Sequence, residues 1–122
     1  MSGNDLLLDT NILIYALKGN PGMEIYFEIV PYISAVTEME ILGVKDISFD
    51  EISIRETIID YCRIIPLTNK IIQRVILIKR LNKIHLPDAI IAATAIEEGF
   101  TLVTADKAFK KIKDLSLILI NI

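Results

Sequence analysis

Short apolar runs of strand length recur along this chain, and each gives way to a stretch with helical spacing. Leu6-Leu7-Leu8, Tyr32-Ile33, Ile64-Ile65, Thr101-Leu102-Val103 and Leu117–Ile120 are the strand candidates. After the first, Ile12, Tyr15 and Ala16 share one helical face within Thr10–Lys18, and Gly19 with Pro21 marks the stop. A short helix over Met23–Ile29 ends before Pro31, and another is expected from about Ala35 to Gly43. Ser48 and Glu51 make a capping-box start ahead of Ile54, Ile58 and Tyr61. Thr68–Lys83 reads as a long helix with Ile71, Val75 and Ile78 on its buried side. Pro87 opens a helix running to about Glu98, with Gly99 as its terminator, and Lys107–Ile112 reads as a short helix. Near-continuous apolar strands alternating with helices belong to an α/β fold whose mainly parallel sheet of four to five strands is covered on both faces.

No linker, low-complexity tract or repeat divides the 122 residues, so residues 1–122 are expected to form one domain. An apolar content of 52% is enough to fill a core of that size without disulfides or a structural metal. The longest uncharged run falls short of ten residues, whereas a membrane-spanning helix needs roughly 18 or more. Met1-Ser2-Gly3-Asn4-Asp5 carries no positive side chain, and Asp9 interrupts the apolar stretch behind it, so no secretory leader is expected. The single cysteine, Cys62, cannot form an internal bridge, which points to a reducing, cytoplasmic compartment, and it reads as core rather than nucleophile.

Net charge is −3, but it is unevenly spread. Residues 1–62 carry 3 basic and 11 acidic side chains, whereas residues 63–122 carry 10 and 5. An acidic half joined to a basic half is what a carboxylate site bordered by phosphate-binding positive charge requires, although two solvated faces would give the same count.

Parallel strands wound by right-handed crossovers all end along one edge, where ligands of open α/β sheets bind. Asp9 follows the first strand, and Asp106 lies two residues beyond Val103. Glu40 and Asp88 lie at or near expected helix starts. Four carboxylates gathered there repel one another, and burying them unpaired costs several kcal/mol or forces protonation. A hard divalent cation resolves that conflict. Mg²⁺ takes oxygen ligands and usually keeps waters beside a few carboxylates, an arrangement suited to polarising a phosphate and activating water. Each acid also has an ordinary structural role. Asp88 suits a first helical turn, Thr37 with Glu40 fits a capping box, and Asp9 and Asp106 can cap the helices that follow them. Spacing alone reaches no further than a metal-binding α/β domain.

Four blocks add a resemblance. Leu7-Leu8-Asp9-Thr10-Asn11-Ile12-Leu13-Ile14-Tyr15, Ile33 to Gly43, Leu86-Pro87-Asp88-Ala89 through Ala95, and Leu102-Val103-Thr104-Ala105-Asp106 resemble the signature blocks of PIN-domain ribonucleases. They come in that family's order, and the likeness is greatest to VapC-type toxins of toxin–antitoxin modules. The resemblance implies a PIN-like three-layer α/β/α fold and metal-dependent endonucleolytic cleavage of RNA, leaving a 5′-phosphate and a 3′-hydroxyl. It further implies that Asp9, Glu40, Asp88 and Asp106 form an acidic quartet holding Mg²⁺ or Mn²⁺. Asp9, Asp88 and Asp106 would be direct or water-mediated ligands, with Glu40 holding a metal or its water. Thr104 would orient a water or an acid, and Asn11 would support Asp9. An antitoxin laid across the acidic cleft and a homodimer are the implied partners. Glu38 is set aside because it lies two residues from Glu40, a separation that points the two side chains nearly opposite ways on a helix.

Lys107, Lys83 and Arg80 are the expected contacts to RNA phosphates, Lys107 foremost because it adjoins a proposed ligand. His85 reads as a loop residue. A haloacid dehalogenase-type phosphatase also places an aspartate after its first strand, but it needs a second one two residues on, where Asn11 stands. A non-catalytic PIN-like module binding RNA or protein is the remaining alternative, and a complete set of acids argues against it.

Overall fold

A computed structural model describes residues 5–122. Residues 1–4, which entered the reading of the chain start, lie outside the described residues. The chain alternates β1 (Leu6–Leu8), α1 (Thr10–Leu17), a 3₁₀ turn (Glu24–Phe27), β2 (Tyr32–Ser34), α2 (Ala35–Leu42) and α3 (Phe49–Tyr61). There follow β3 (Arg63–Ile65), α4 (Asn69–Leu81), α5 (Leu86–Glu98), β4 (Thr101–Thr104), a second 3₁₀ turn (Lys107–Lys111) and β5 (Ser116–Leu119). The five strands form one parallel sheet in the order β3-β2-β1-β4-β5.

Two cores lie on opposite faces of that sheet, because neighbouring strand residues point opposite ways. Leu7 and Leu102 face α4 and α5, joining Ile71, Val75, Ile78 and Phe100. Leu8, Ile33 and Val103 face α1 and α3, joining Ile12, Leu13, Ile59 and Cys62. The result is the three-layer α/β/α arrangement with β1 at its centre. Cys62 is buried, and burial pushes its thiol up to about 11, which suits packing rather than nucleophilic chemistry.

Local chemistry sets the helix ends. Ser48 and Thr68 accept the amides of Glu51 and Ile71 and cap α3 and α4, while Gly99 closes α5 in the left-handed conformation at φ 71°. Several boundaries differ from the sequence reading. The long helix stops at Leu81 rather than Lys83, because the Asn82 side-chain amide donates to the Ile78 carbonyl and the backbone turns extended. The last strand starts at Ser116, paired with Thr101, and is complete at Leu119. The Met23–Ile29 helix is a single 3₁₀ turn. On α3 only Ile59 is buried. Ile54 and Tyr61 remain 58% and 45% exposed, so that helix presents an apolar stripe outward.

Candidate active site

Strand order creates the site. From β1 the chain winds outward through β2 to β3, then crosses back to place β4 on the other side of β1. A crevice opens where the winding reverses, outside the carboxyl ends of β1 and β4. Asp9 and Asp106 occur at those ends.

Asp9 sits at the N-cap position of α1, yet its side chain makes no capping bond. Its amide donates to the Val103 carbonyl at 3.0 Å, extending the β1–β4 ladder by one rung. Its Oδ2 accepts the Thr104 hydroxyl at 2.7 Å, and that hydroxyl oxygen accepts the Asp106 amide at 3.0 Å. One buried threonine therefore fixes both acids relative to the sheet. Asp106 Oδ1 accepts the Ala108 amide at 2.9 Å and caps the second 3₁₀ turn. Asp88 is the third residue of α5, following Pro87.

The structure brings Glu40 to the same place by a different route from the one expected. It lies near the C-terminal end of α2, not at its start. Ser34, not Thr37, caps that helix, accepting the Thr37 amide at 3.2 Å. Glu40 therefore takes no part in a capping box, and its Oε1 instead accepts the Thr10 hydroxyl at 2.7 Å.

The four acids act on one another electrically. Asp9 is only 4% exposed, and burial together with the charges of Asp88 and Asp106 pushes its carboxyl up to about 6, against the pull of the Thr104 hydroxyl and the Thr10 amide. Burial, followed by the charges of Asp106 and Glu40, holds Asp88 above the usual carboxylate range, with His85 pulling the other way. Among the described residues the only ion pairs join Glu97 to Arg74 and Lys70, so no cationic side chain neutralises the quartet.

A divalent cation fits this surplus. All donors are hard carboxylate oxygens, and the negative charge is left unbalanced. Among the described residues, however, no three His, Cys, Asp or Glu side chains stand close enough to grip an ion by themselves. The donor set suits an ion that keeps much of its water, as Mg²⁺ does, rather than one needing a closed protein cage.

The supporting residues are divided. Thr104 holds Asp9, whereas Asn11 is exposed and makes no hydrogen bond to Asp9 among the described residues. Lys83 lines a cleft of about 520 Å³ together with Asp88, Asp106, Lys79, His85 and Lys111. Lys107 lines a different recess beside Tyr15 and the chain end, and Arg80 lines neither. The 3₁₀ turn explains the difference. At three residues per turn Ala108 and Lys111 share the cleft side, and Lys107 points elsewhere. Lys79, on α4, and Lys111, on the 3₁₀ turn, join Lys83 there, though neither was among the three foremost expected contacts. The Lys79 ammonium donates to the Ile84 carbonyl at 2.5 Å and the Lys111 ammonium to the Lys83 carbonyl, pinning the loop that leads into α5.

With this geometry established, comparison places the chain among known proteins. A PIN-domain family model matches residues 6–115, and the chain belongs to that family. Its structure is similar to a toxin–antitoxin complex from Klebsiella pneumoniae, with 30% identity, TM-score 0.78, and coverage of 93% of this chain and 96% of that one. It is also similar to VapBC-1 from nontypeable Haemophilus influenzae (25% identity, TM-score 0.76, coverage 93% and 96%). A DNA-bound VapBC from Salmonella typhimurium shares the fold at TM-score 0.83 and 20% identity, covering 94% of this chain and 97% of that one. The chain is thus VapC-like. No curated protein matches it.

The raised Asp9 carboxyl has a stability consequence. Well below pH 4 the group is protonated in both folded and unfolded chains. As pH rises from about 4 to about 6, the unfolded state ionises first and the fold loses on the order of 3 kcal/mol. In urea denaturation with chelator present, the wild type is expected to lose this increment between pH 4 and pH 7. Asp9→Asn should be flatter by a comparable amount. Parallel pH profiles for the two proteins would refute the assignment.

Proposed function

We propose that this chain is a metal-dependent endoribonuclease of the VapC kind, cutting RNA in the cytoplasm and silenced by an antitoxin. The observation that carries the reading is Asp9: a buried carboxylate at the sheet's switch point, without a cationic partner and crowded by further acids. Among the described residues Asp9 joins no ion pair, and its hydrogen bonds from the Thr104 hydroxyl and the Thr10 amide only partly offset its burial. When bound, Mg²⁺ or Mn²⁺ supplies the charge that makes the quartet tolerable and the electrophile that stabilises a scissile phosphate. Asp9, Asp88 and Asp106 are the residues to hold it, directly or through water, with Glu40 on the rim. The chain's own part is positioning. Thr104 keeps Asp9 and Asp106 in register, and Lys79, Lys83 and Lys111 border the cleft where an RNA backbone would lie.

Two apolar surfaces support the proposed partners. Ala16, Leu17, Phe27, Ile54, Ile58 and Tyr61 line a groove of about 540 Å³ within the acidic half of the chain, so a basic amphipathic segment of an antitoxin suits it. On α4, Ile72, Ile76, Leu77 and Leu81 are exposed, a face suited to self-association. Among the described residues no helix is long and apolar enough to cross a membrane.

Labelled RNA incubated with purified protein and Mg²⁺ or Mn²⁺ is expected to yield fragments with 5′-phosphate and 3′-hydroxyl ends. EDTA should abolish the cutting, and Asp9→Asn or Asp88→Asn should slow it by about 100-fold or more. RNA binding without cutting would replace this reading with a non-catalytic module, and phosphate release from a small phosphoester would replace it with a phosphatase. For the partners, light scattering should give a dimer mass for the wild type and for Ile54→Glu, but a monomer for Ile76→Glu. An antitoxin should silence the wild type and not Ile54→Glu. A monomeric wild type at tens of micromolar would remove self-association from the proposal.

A further inference from the structure

Three buried hydroxyls lie between α2 and α1, and none serves the Asp9–Thr104–Asp106 bridge. Thr10 is 9% exposed, while Ser34 and Thr37 are fully buried. A threonine inside a helix ordinarily satisfies its hydroxyl on the carbonyl one turn back. Thr57 and Thr94 do so in this protein, donating to Ser53 and Ile90 at 3.0 and 2.7 Å. Thr37 does not. Its hydroxyl lies 2.9 Å from the Thr10 hydroxyl, which in turn donates to Glu40 Oε1 at 2.7 Å.

The direction of this chain follows from counting protons. A carboxylate accepts and cannot donate, so the one Thr10 proton is committed to Glu40. The bond between the two threonines must then be donated by Thr37. Ser34 donates to Thr37 at 3.3 Å, a longer and weaker first link, while its own oxygen accepts the Thr37 amide. Every hydroxyl donor points the same way, toward Glu40, and hydrogen bonds aligned in series polarise one another. Thr37 and Glu40 are three residues apart and share one face of α2, and Thr10 opens α1 beside Asp9. The series therefore joins the helix carrying Glu40 to the residue next to Asp9. Without it, Glu40 is a surface glutamate free to sample its rotamers.

We propose that Thr37 and Thr10 are positioning residues, forming a one-way hydroxyl relay that holds the Glu40 carboxylate against the acidic site. The relay rests on the nuclease reading for its purpose but not for its existence, and the two can be tested apart. In metal-free protein, a double-mutant cycle on the thermal midpoint pairs Thr10→Val with Glu40→Ala. The double variant is expected to lose clearly less than the sum of the single losses. Additive losses would overturn the relay whether or not the protein cuts RNA.

In calorimetric titration with Mn²⁺, Thr10→Val and Thr37→Val are each expected to raise the dissociation constant about tenfold, the range for partners that orient a ligand. Thr10→Ser and Thr37→Ser restore the hydroxyls and should return it to the wild-type value. Cleavage should show the same pattern in kcat with KM little changed. Valine variants that bind Mn²⁺ as the wild type does would overturn the proposal, as would serine variants that fail to rescue while remaining folded. A wild type that neither binds Mn²⁺ nor cuts RNA would defeat the nuclease reading, and the thermal cycle would still decide the relay.

Discussion

Mutual repulsion among four carboxylates at one edge of a parallel sheet is the constraint around which this protein is built. Asp9 and Asp106 leave neighbouring strands, Asp88 comes from the first turn of α5, and Glu40 reaches in from α2. Such a gathering opposes folding, since Asp9 is buried and, among the described residues, has no cationic partner. The fold tolerates it because the sheet is anchored elsewhere, by Leu7 and Leu102 on one face and Leu8, Ile33 and Val103 on the other. Strongly perturbed acids held by well-packed surroundings cluster at functional sites, which is the ground of the proposed metal site.

Hydroxyls rather than cations organise the acids. Thr104 joins Asp9 to the Asp106 backbone, and Thr10 joins Glu40 to Thr37. A lysine or arginine placed there would neutralise the cluster. Threonine supplies a fixed donor without charge, so the carboxylates are held in place and their negative charge is kept. Positive charge is kept at the cleft margin on Lys79, Lys83 and Lys111, where it borders the acids without pairing with them.

Much of this was legible in the sequence, for physical reasons that can be named. Alternating apolar strands and helices fix a parallel sheet, and a parallel sheet fixes the edge at which its strands end, so Asp9 and Asp106 were expected together. Asp88 was readable from Pro87 and the start of α5. Glu40 was expected near a helix start, whereas Ser34 begins that helix a turn earlier than a Thr37 cap would. Ser34 and Thr37, three residues apart, compete for such a role, and only tertiary packing decides which caps the helix. Thr37 was expected as a cap and Thr10 only as the opening of a helix, because nothing local separates a hydroxyl that bonds its own helix from one that bonds another. Lys111 rather than Lys107 lines the cleft of Asp88 and Asp106 because a tight turn does not follow α-helical spacing.

Crystals soaked in Mn²⁺ and measured at an anomalous wavelength probe this arrangement most directly. A strong peak among the carboxylates of Asp9, Asp88 and Asp106 is the expected outcome, with water completing the coordination shell. A map empty at that position at saturating Mn²⁺, or a peak seated on acids elsewhere on the surface, would contradict it.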